Sequence, residues 1–277
     1  TQRAGKQSDQ RELGGVGPRN GALALPQHAQ HGRGVEVLRR KPVIWDNLHA
    51  NDYDSRRFFC GPYAGRPVEL RAEVAGLLAN PNTEFPLNFV PLRTLAQFVR
   101  HPAAAAWRPR QAYLDAMAEW LPHFATLGEA LALEDLVFLG DCYYLPHQEG
   151  DQAEAFYQST RALLEQDPAG WGGAAAAWRR EAARLLRVSG QLTGLRRRPL
   201  FHALSRRVWE LREEIALLDY YVEFKSRPGH AATPCRSDFH QPGTFRGGMV
   251  ARLQKLLTLD PDGTWSPGSS PATGAGV

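Results

Sequence analysis

The feature that most constrains this chain is the run of apolar residues at helical spacing that fills its second half. Over residues 200–223, Leu204, Val208, Leu211, Ile215 and Leu218 recur every three or four positions and form one stripe. Such a stripe needs a partner, because an amphipathic helix owes its stability to the packing of that face. The same periodicity predicts helices over 110–124, with Tyr113, Met117, Trp120 and Leu121 on one side, and over 133–139, 151–166, 170–198 and 245–257. Asp167-Pro168 stops the third of the six. About six helices with short connectors predict an all-α bundle over 105–262. No internal repeat is present.

Residues 35–104 read differently. Val35 to Leu38 is strand-like or a helix end. Residues 42–47 read as a short buried strand running into a polar loop, since Val43, Ile44 and Trp45 are followed by Asp46 and Asn47. Gly61-Pro62 and Gly65-Arg66-Pro67 are turn signals. Helical spacing over 69–78 ends before Pro81, residues 85–90 suit another strand, and 92–99 suit a helix stopped near His101-Pro102. This is the βα rhythm of a barrel or a doubly wound sheet. It is too short to close either, since a (β/α)8 barrel takes about 250 residues. The expected fold class is α/β plus all-α. Residues 1–34, rich in Gly, Gln, Arg and His, are expected to be disordered or irregular. Residues 263–277, rich in Gly, Ser, Pro and Thr, are expected to form a flexible tail.

Composition narrows the function classes. A net charge of +4 is too small to imply a nucleic-acid partner, and Arg196 to Arg198 and Arg206-Arg207 fall on helical patterns as a solvated face. Cys60, Cys142 and Cys235 are far apart and have no metal-ligand spacing, so no metal is expected. Isolated thiols fit a cytoplasmic and nuclear location. No apolar run approaches the ~20 residues that span a bilayer, so no membrane association is expected.

Taken alone, Asp52 and Asn47 read as turn formers or caps, Trp45 as core, and Asn80 as an Asx turn before Pro81. A larger pattern changes this. The run Trp45-Asp46-Asn47-Leu48-His49-Ala50-Asn51-Asp52-Tyr53-Asp54, then Gly61-Pro62-Tyr63 and Asn80-Pro81-Asn82, closely resembles the protein O-GlcNAcases, glycoside hydrolase family 84. The likeness resumes at Leu133 to Leu136, Tyr144-Leu145-Pro146 and Phe245 to Met249, and so covers roughly residues 38–260, on and off.

The resemblance implies a (β/α)8 barrel followed by a helical stalk that homodimerises. Residues 35–104 would be the C-terminal portion of the barrel and 105–262 the stalk. It implies removal of O-linked N-acetylglucosamine from Ser and Thr of proteins by a substrate-assisted retaining mechanism. There the sugar's acetamide is the nucleophile and two adjacent aspartates handle the protons. No cofactor is implied. It assigns Asp52 and Asn80 to sugar hydroxyls, Asn47 to a place beside the acetamide, and Trp45 to the pocket lining. A carboxylate and an amide at strand ends suit neighbouring hydroxyls, and an indole supplies an apolar wall. His49 reads as structural or as a support to these groups.

The sequence departs from the family at one decisive place. The chain contains no Asp-Asp dipeptide, and only 44 residues precede Trp45. The catalytic pair is expected about a hundred residues before that segment, judged by barrel length. No catalytic residue is therefore assigned, and the chain is expected to be inactive alone. The alternative is a non-catalytic, dimerising interaction protein built from the stalk.

Overall fold

The computed structural model describes residues 39–102, 105–227, 229, 233–234 and 247–268. The expectations for 1–34 and 35–38, and Cys235, His230 and His240, lie outside the described residues.

Strand β1 (Val43–Asp46) pairs in parallel with β2 (Gly76–Ala79), with Val43 opposite Gly76 and Asp46 opposite Ala79. Ala75 N donates to Pro42 O and Asn80 N to Asp46 O, both at 2.8 Å, which extends the pair at each end. Two expectations fail here. The strand is not buried, for Val43 and Trp45 are each 63% exposed and its one buried side chain is Asp46. Side chains alternate along a strand, so the open face takes Val43 and Trp45 while Asp46 turns inward. The helix expected over 69–78 shrinks to α1 (Leu70–Glu73). Val74 adopts extended backbone (φ −113°, ψ 152°), and residues 76–79 join β1 instead. Leu77 and Leu78 fit either spacing; pairing with β1 decides between them.

The strand expected over 85–90 is also absent. A 3-10 turn, Phe85–Asn88, leads into α2 (Phe89–Arg100). Pro86 offers no N–H to a sheet ladder, and it stands in the first turn of a helix, where none is needed. The helix stops as expected at His101, held in extended backbone by the Pro102 that follows.

The helical region comprises α3 (Pro109–Trp120), α4 (Leu133–Asp141), α5 (Asp151–Leu164), α6 (Gly172–Thr193) and α7 (Arg198–Lys225). All five stripe residues of α7 are buried. Helix α6 ends five residues earlier than expected, with Gly194 as its C-cap, and Pro199 opens α7. The side chain of Asp167 accepts from Ala169 N at 2.8 Å and caps the short turn between α5 and α6. The helix expected over 245–257 is shorter: α8 spans Gly248–Gln254.

Three short strands, β3 (Thr233–Pro234), β4 (Leu257–Leu259) and β5 (Thr264–Pro267), form an antiparallel sheet in the order β3-β5-β4. The expected flexible tail thus begins with a strand, and Trp265 within it is buried. The Asp262 carboxylate accepts from Thr264 N at 3.0 Å, and Gly263 takes φ +83°, closing the β4–β5 hairpin. Asp-Gly between strands is a hairpin signal that the bulk composition of the tail hides.

One hydrophobic cluster runs from Leu48 and Phe58 through Tyr113, Phe138 and Leu211 to Trp265. Helices α3 and α4 approach so closely that a Cβ on Gly140 would lie 2.4 Å from the Tyr113 hydroxyl. Burying each large apolar side chain contributes ~1.5–3 kcal/mol, and most of these side chains sit on the helices. The loop after β1 is strapped onto them. Cys60 N donates to Tyr143 O and Gly61 N to Tyr144 O, each at 2.6 Å, and Phe58 stacks on Tyr143 at 4.3 Å. Among the described residues no helix is long and apolar enough to cross a membrane.

Candidate functional site

Parallel pairing places the residues that follow β1 and β2 side by side. Asp46 lies opposite Ala79, so Asn47 and Asn80 leave the strands at the same end. Asn80 Nδ2 donates to Asn47 Oδ1 at 3.1 Å and to Asp52 Oδ2 at 3.3 Å. Trp45 Nε1 donates to the same Asn47 Oδ1 at 2.7 Å. The structure therefore brings together all four side chains singled out in the sequence. Two donors on one oxygen fix which way the Asn47 amide faces and leave its Nδ2 unengaged within the network. Asp52 and Asn47 are exposed and Asn80 is half-buried. The four form an open polar surface with an indole on one side. An apolar cavity of about 550 Å³ between Phe85, Leu92, Trp120 and Pro199 lies elsewhere, and none of the four lines it.

Four other motif residues, Asp46, His49, Asn51 and Asn82, are scaffold. Asp46 is buried, and its carboxylate accepts from Leu48 N (3.0 Å), the Tyr63 hydroxyl (2.7 Å) and both arms of Arg66 (2.9 and 3.0 Å). Burial opposes its charge, but the hydrogen bonds and charge of Arg66 and the Tyr63 hydroxyl outweigh that, and its pKa is lowered. His49 is buried and donates from Nε2 to Gly61 O at 3.0 Å. Burial pushes its pKa down to about 4, so the ring is neutral at physiological pH.

Asn51 is fully buried. Its Nδ2 donates to Arg57 O and Glu84 Oε2, and its Oδ1 accepts from Thr83 N at 2.8 Å. Asn82 pairs with a backbone segment as a neighbouring strand would. Its amide exchanges hydrogen bonds with Phe59 N (2.7 Å) and Phe59 O (3.0 Å), and its backbone N donates to Asn88 Oδ1. Buried polar groups are tolerated only when partnered in this way. Residues 46, 49, 51 and 82 thus hold the two loops still, and 45, 47, 52 and 80 are what the loops present.

Sequence reasoning missed Asn51, Asn82, Arg66 and Glu84 as site supports. An Asn directly after each of two strands was a usable signal for Asn47 and Asn80 once the pairing was known. Nothing local announces that Arg66 meets Asp46, or that Glu84 meets Arg207, 123 positions away. Of the histidines with no functional role assigned from sequence, His101, His123, His147 and His202 are described, and none joins this network. Among the described residues no three or more His, Cys, Asp or Glu side chains are grouped to hold a metal.

Comparison with known proteins gives a consistent result. Residues 27–133 match the family of beta-N-acetylglucosaminidase domains. The Protein O-GlcNAcase of Rattus norvegicus is 52% identical over 65 residues, which is 24% of this chain and 7% of the relative. The Protein O-GlcNAcase of Mus musculus matches to the same extent. The match thus spans a small part of these relatives' length. Among solved structures, CpGH84B superposes with a TM-score of 0.56 at 16% identity, covering 71% of this chain and 34% of that one. A mutant of the Thermobaculum terrenum O-GlcNAc hydrolase superposes with a TM-score of 0.57 at 20% identity, covering 70% and 40%. At such identities the structural likeness shows the fold alone.

Proposed function

This chain being an O-GlcNAcase-family protein, we propose that Trp45, Asn47, Asp52 and Asn80 form one wall of a site for N-acetylglucosamine linked to protein Ser or Thr. The observation that carries this is the single hydrogen-bonded network joining the four at the same end of two parallel strands. Strand C-termini are where α/β enzymes place their ligand groups. Asp52 accepts from sugar hydroxyls with the carboxylate oxygen that Asn80 does not occupy. Asn80 holds the carboxylate and offers its carbonyl oxygen. Asn47 donates from Nδ2 toward the acetamide, and the Trp45 indole covers an apolar face of the sugar.

The complete reaction of this reading is substrate-assisted hydrolysis with retention. It needs a polarising group on the acetamide and a general acid at the leaving oxygen. The 277 residues contain no adjacent aspartate pair for these tasks. We therefore assign this chain a substrate-holding part of the reaction and no turnover alone. Residues 35–104 act in this reading as the C-terminal part of a barrel and 105–262 as a stalk that homodimerises, in the cytoplasm and nucleus.

The test is twofold. Titration of N-acetylglucosamine against the full chain, followed by the Trp45 indole N–H resonance, gives saturable binding that Asp52→Ala abolishes. The full chain leaves a 4-nitrophenyl N-acetylglucosaminide intact. Absence of binding overturns the site; turnover lost in Asp52→Ala overturns the assignment of an incomplete reaction. Light scattering of the full chain at micromolar concentration gives twice the chain mass if the helices dimerise, and the chain mass otherwise.

A further inference from the structure

We propose that Arg207, acting through Glu84, is a positioning residue for the loop that presents Asp52. It lies on α7, in the helical half, 155 positions from Asp52 in sequence. Its side chain is 8% exposed, although it stands beside the buried stripe residue Val208. A buried guanidinium is costly unless paired, and apolar residues of similar volume in place of a whole buried ion pair often serve stability as well or better. What it touches explains its presence.

Arg207 Nη1 donates to Ala203 O of its own helix at 3.0 Å. Nη2 leaves the helix and donates to Ser55 O at 2.9 Å and to Glu84 Oε1 at 2.6 Å. Glu84 spends its other oxygen on Asn51 Nδ2, at 3.0 Å, and on the Thr83 hydroxyl, at 3.1 Å. Asn51 closes the circuit by accepting from Thr83 N. One cation thus fixes three segments to each other: the loop 51–57, the segment 80–84 and α7. Asp52 adjoins Asn51, and Asn80 stands three residues before Thr83.

The clamp matters because the contact it governs is near the limit of a hydrogen bond. Asn80 Nδ2 and Asp52 Oδ2 are 3.3 Å apart, so a shift of half an ångström between the loops separates them. Both oxygens of Glu84 are engaged by different segments, so neither loop can move without breaking a charge-assisted bond. The helices therefore set the register of the presenting loops as well as supporting them. The consequence for sugar binding rests on the function proposed above; the clamp itself does not.

The experiment compares the full chain with Arg207→Met, which keeps volume and removes charge, Arg207→Lys, which keeps charge on a single amine, and Glu84→Gln. Amide hydrogen exchange is read segment by segment, and N-acetylglucosamine binding is read at the Trp45 indole N–H. Loss of the charged hydrogen bonds is expected to raise exchange at 51–57 and 80–84 roughly tenfold to a hundredfold. Residues 178–192 of α6 and 211–222 of α7 keep their protection. Sugar affinity falls roughly tenfold, and Arg207→Lys restores part of the affinity and of the loop protection. Uniform loosening of α7 along with the loops, or loops that keep their protection, overturns the clamp. If the unaltered chain binds no sugar, the failure belongs to the proposed function, and the exchange data alone decide the clamp. If Arg207→Met does not fold, Glu84→Gln decides by the same measure.

Discussion

The two halves of this molecule share one hydrophobic cluster but differ in the balance of what they bury. Residues 109–225 rest on apolar stripes: Tyr113, Met117 and Trp120 on α3, Leu136 to Leu139 on α4, and the long run on α7. Residues 43–100 bury a denser set of polar groups (Asp46, His49, Asn51, Asn82, Asn88 and Thr94) and expose Val43, Trp45, Leu78, Phe85 and Val99. Apolar contact is strong but non-directional, whereas a satisfied polar network is weaker in sum and fixes geometry. The comparison teaches that a loop meant to present side chains accurately is built from the second kind and leans on the first.

The largest effect belongs to the helical half. Trp120→Ala is expected to destabilise the fold by about 3–5 kcal/mol, read as a shift of the whole chemical-denaturation curve. A loss confined to residues 43–100 would break the contrast.

Next comes acidification. The folded pKa of His49 is about 4, below the unfolded value of 6.5. Below pH 6.5 the unfolded chain therefore takes up a proton that the folded chain refuses. The stability tied to this ring is complete above pH 6.5 and is lost as pH falls toward 4. The full loss is about 3 kcal/mol by linkage. His49→Gln should flatten that limb of the stability profile; an unchanged slope sinks the assignment. Asp46 acts at lower pH. Its folded pKa lies below 3.8, so its contribution is present above that value and disappears as pH drops through the folded one.

Asn82→Ala leaves Phe59 N–H and C=O without the amide that serves them. It should cost about 2 kcal/mol, with faster hydrogen exchange concentrated at 58–63. Spread over α6 and α7 instead, the effect would erase the distinction between the halves. Asp52→Ala should change stability least, by less than about 0.5 kcal/mol, since the residue is exposed. On the function proposed above, it should still abolish N-acetylglucosamine binding. The residue that matters least to folding would then matter most to the ligand, and a large stability loss would recast Asp52 as scaffold.

The helices were legible because their periodicity is long. Residues 200–223 state their buried face without help from elsewhere. The short apolar runs misled. Leu77-Leu78 and Phe85 fit two patterns, and their state depends on a strand at 43–46 and on Pro86. At the candidate site, the resemblance picked out four side chains that the fold brings into one hydrogen-bonded network. Their supports were not legible, because Arg66, Glu84 and Arg207 act across separations that leave no local signature. Asp46 was visible as a motif member, but not as the buried anion that Arg66 and Tyr63 enclose.

The strap between Gly61 and Tyr144 has a bearing on how such a protein can be cut. A Cβ on Gly61 would fall 2.4 Å from the Tyr144 carbonyl oxygen, so the two backbones meet with nothing between them. The chain passes from one half to the other near residue 105, yet its mechanical seam runs through 58–61 and 143–145. Scissors applied at the linear border would strip a facing surface from each piece. Recombination that swaps one half for a relative's parts the two sides of this seam, so residues 58–61 and 143–145 must be exchanged together for the fit to be kept.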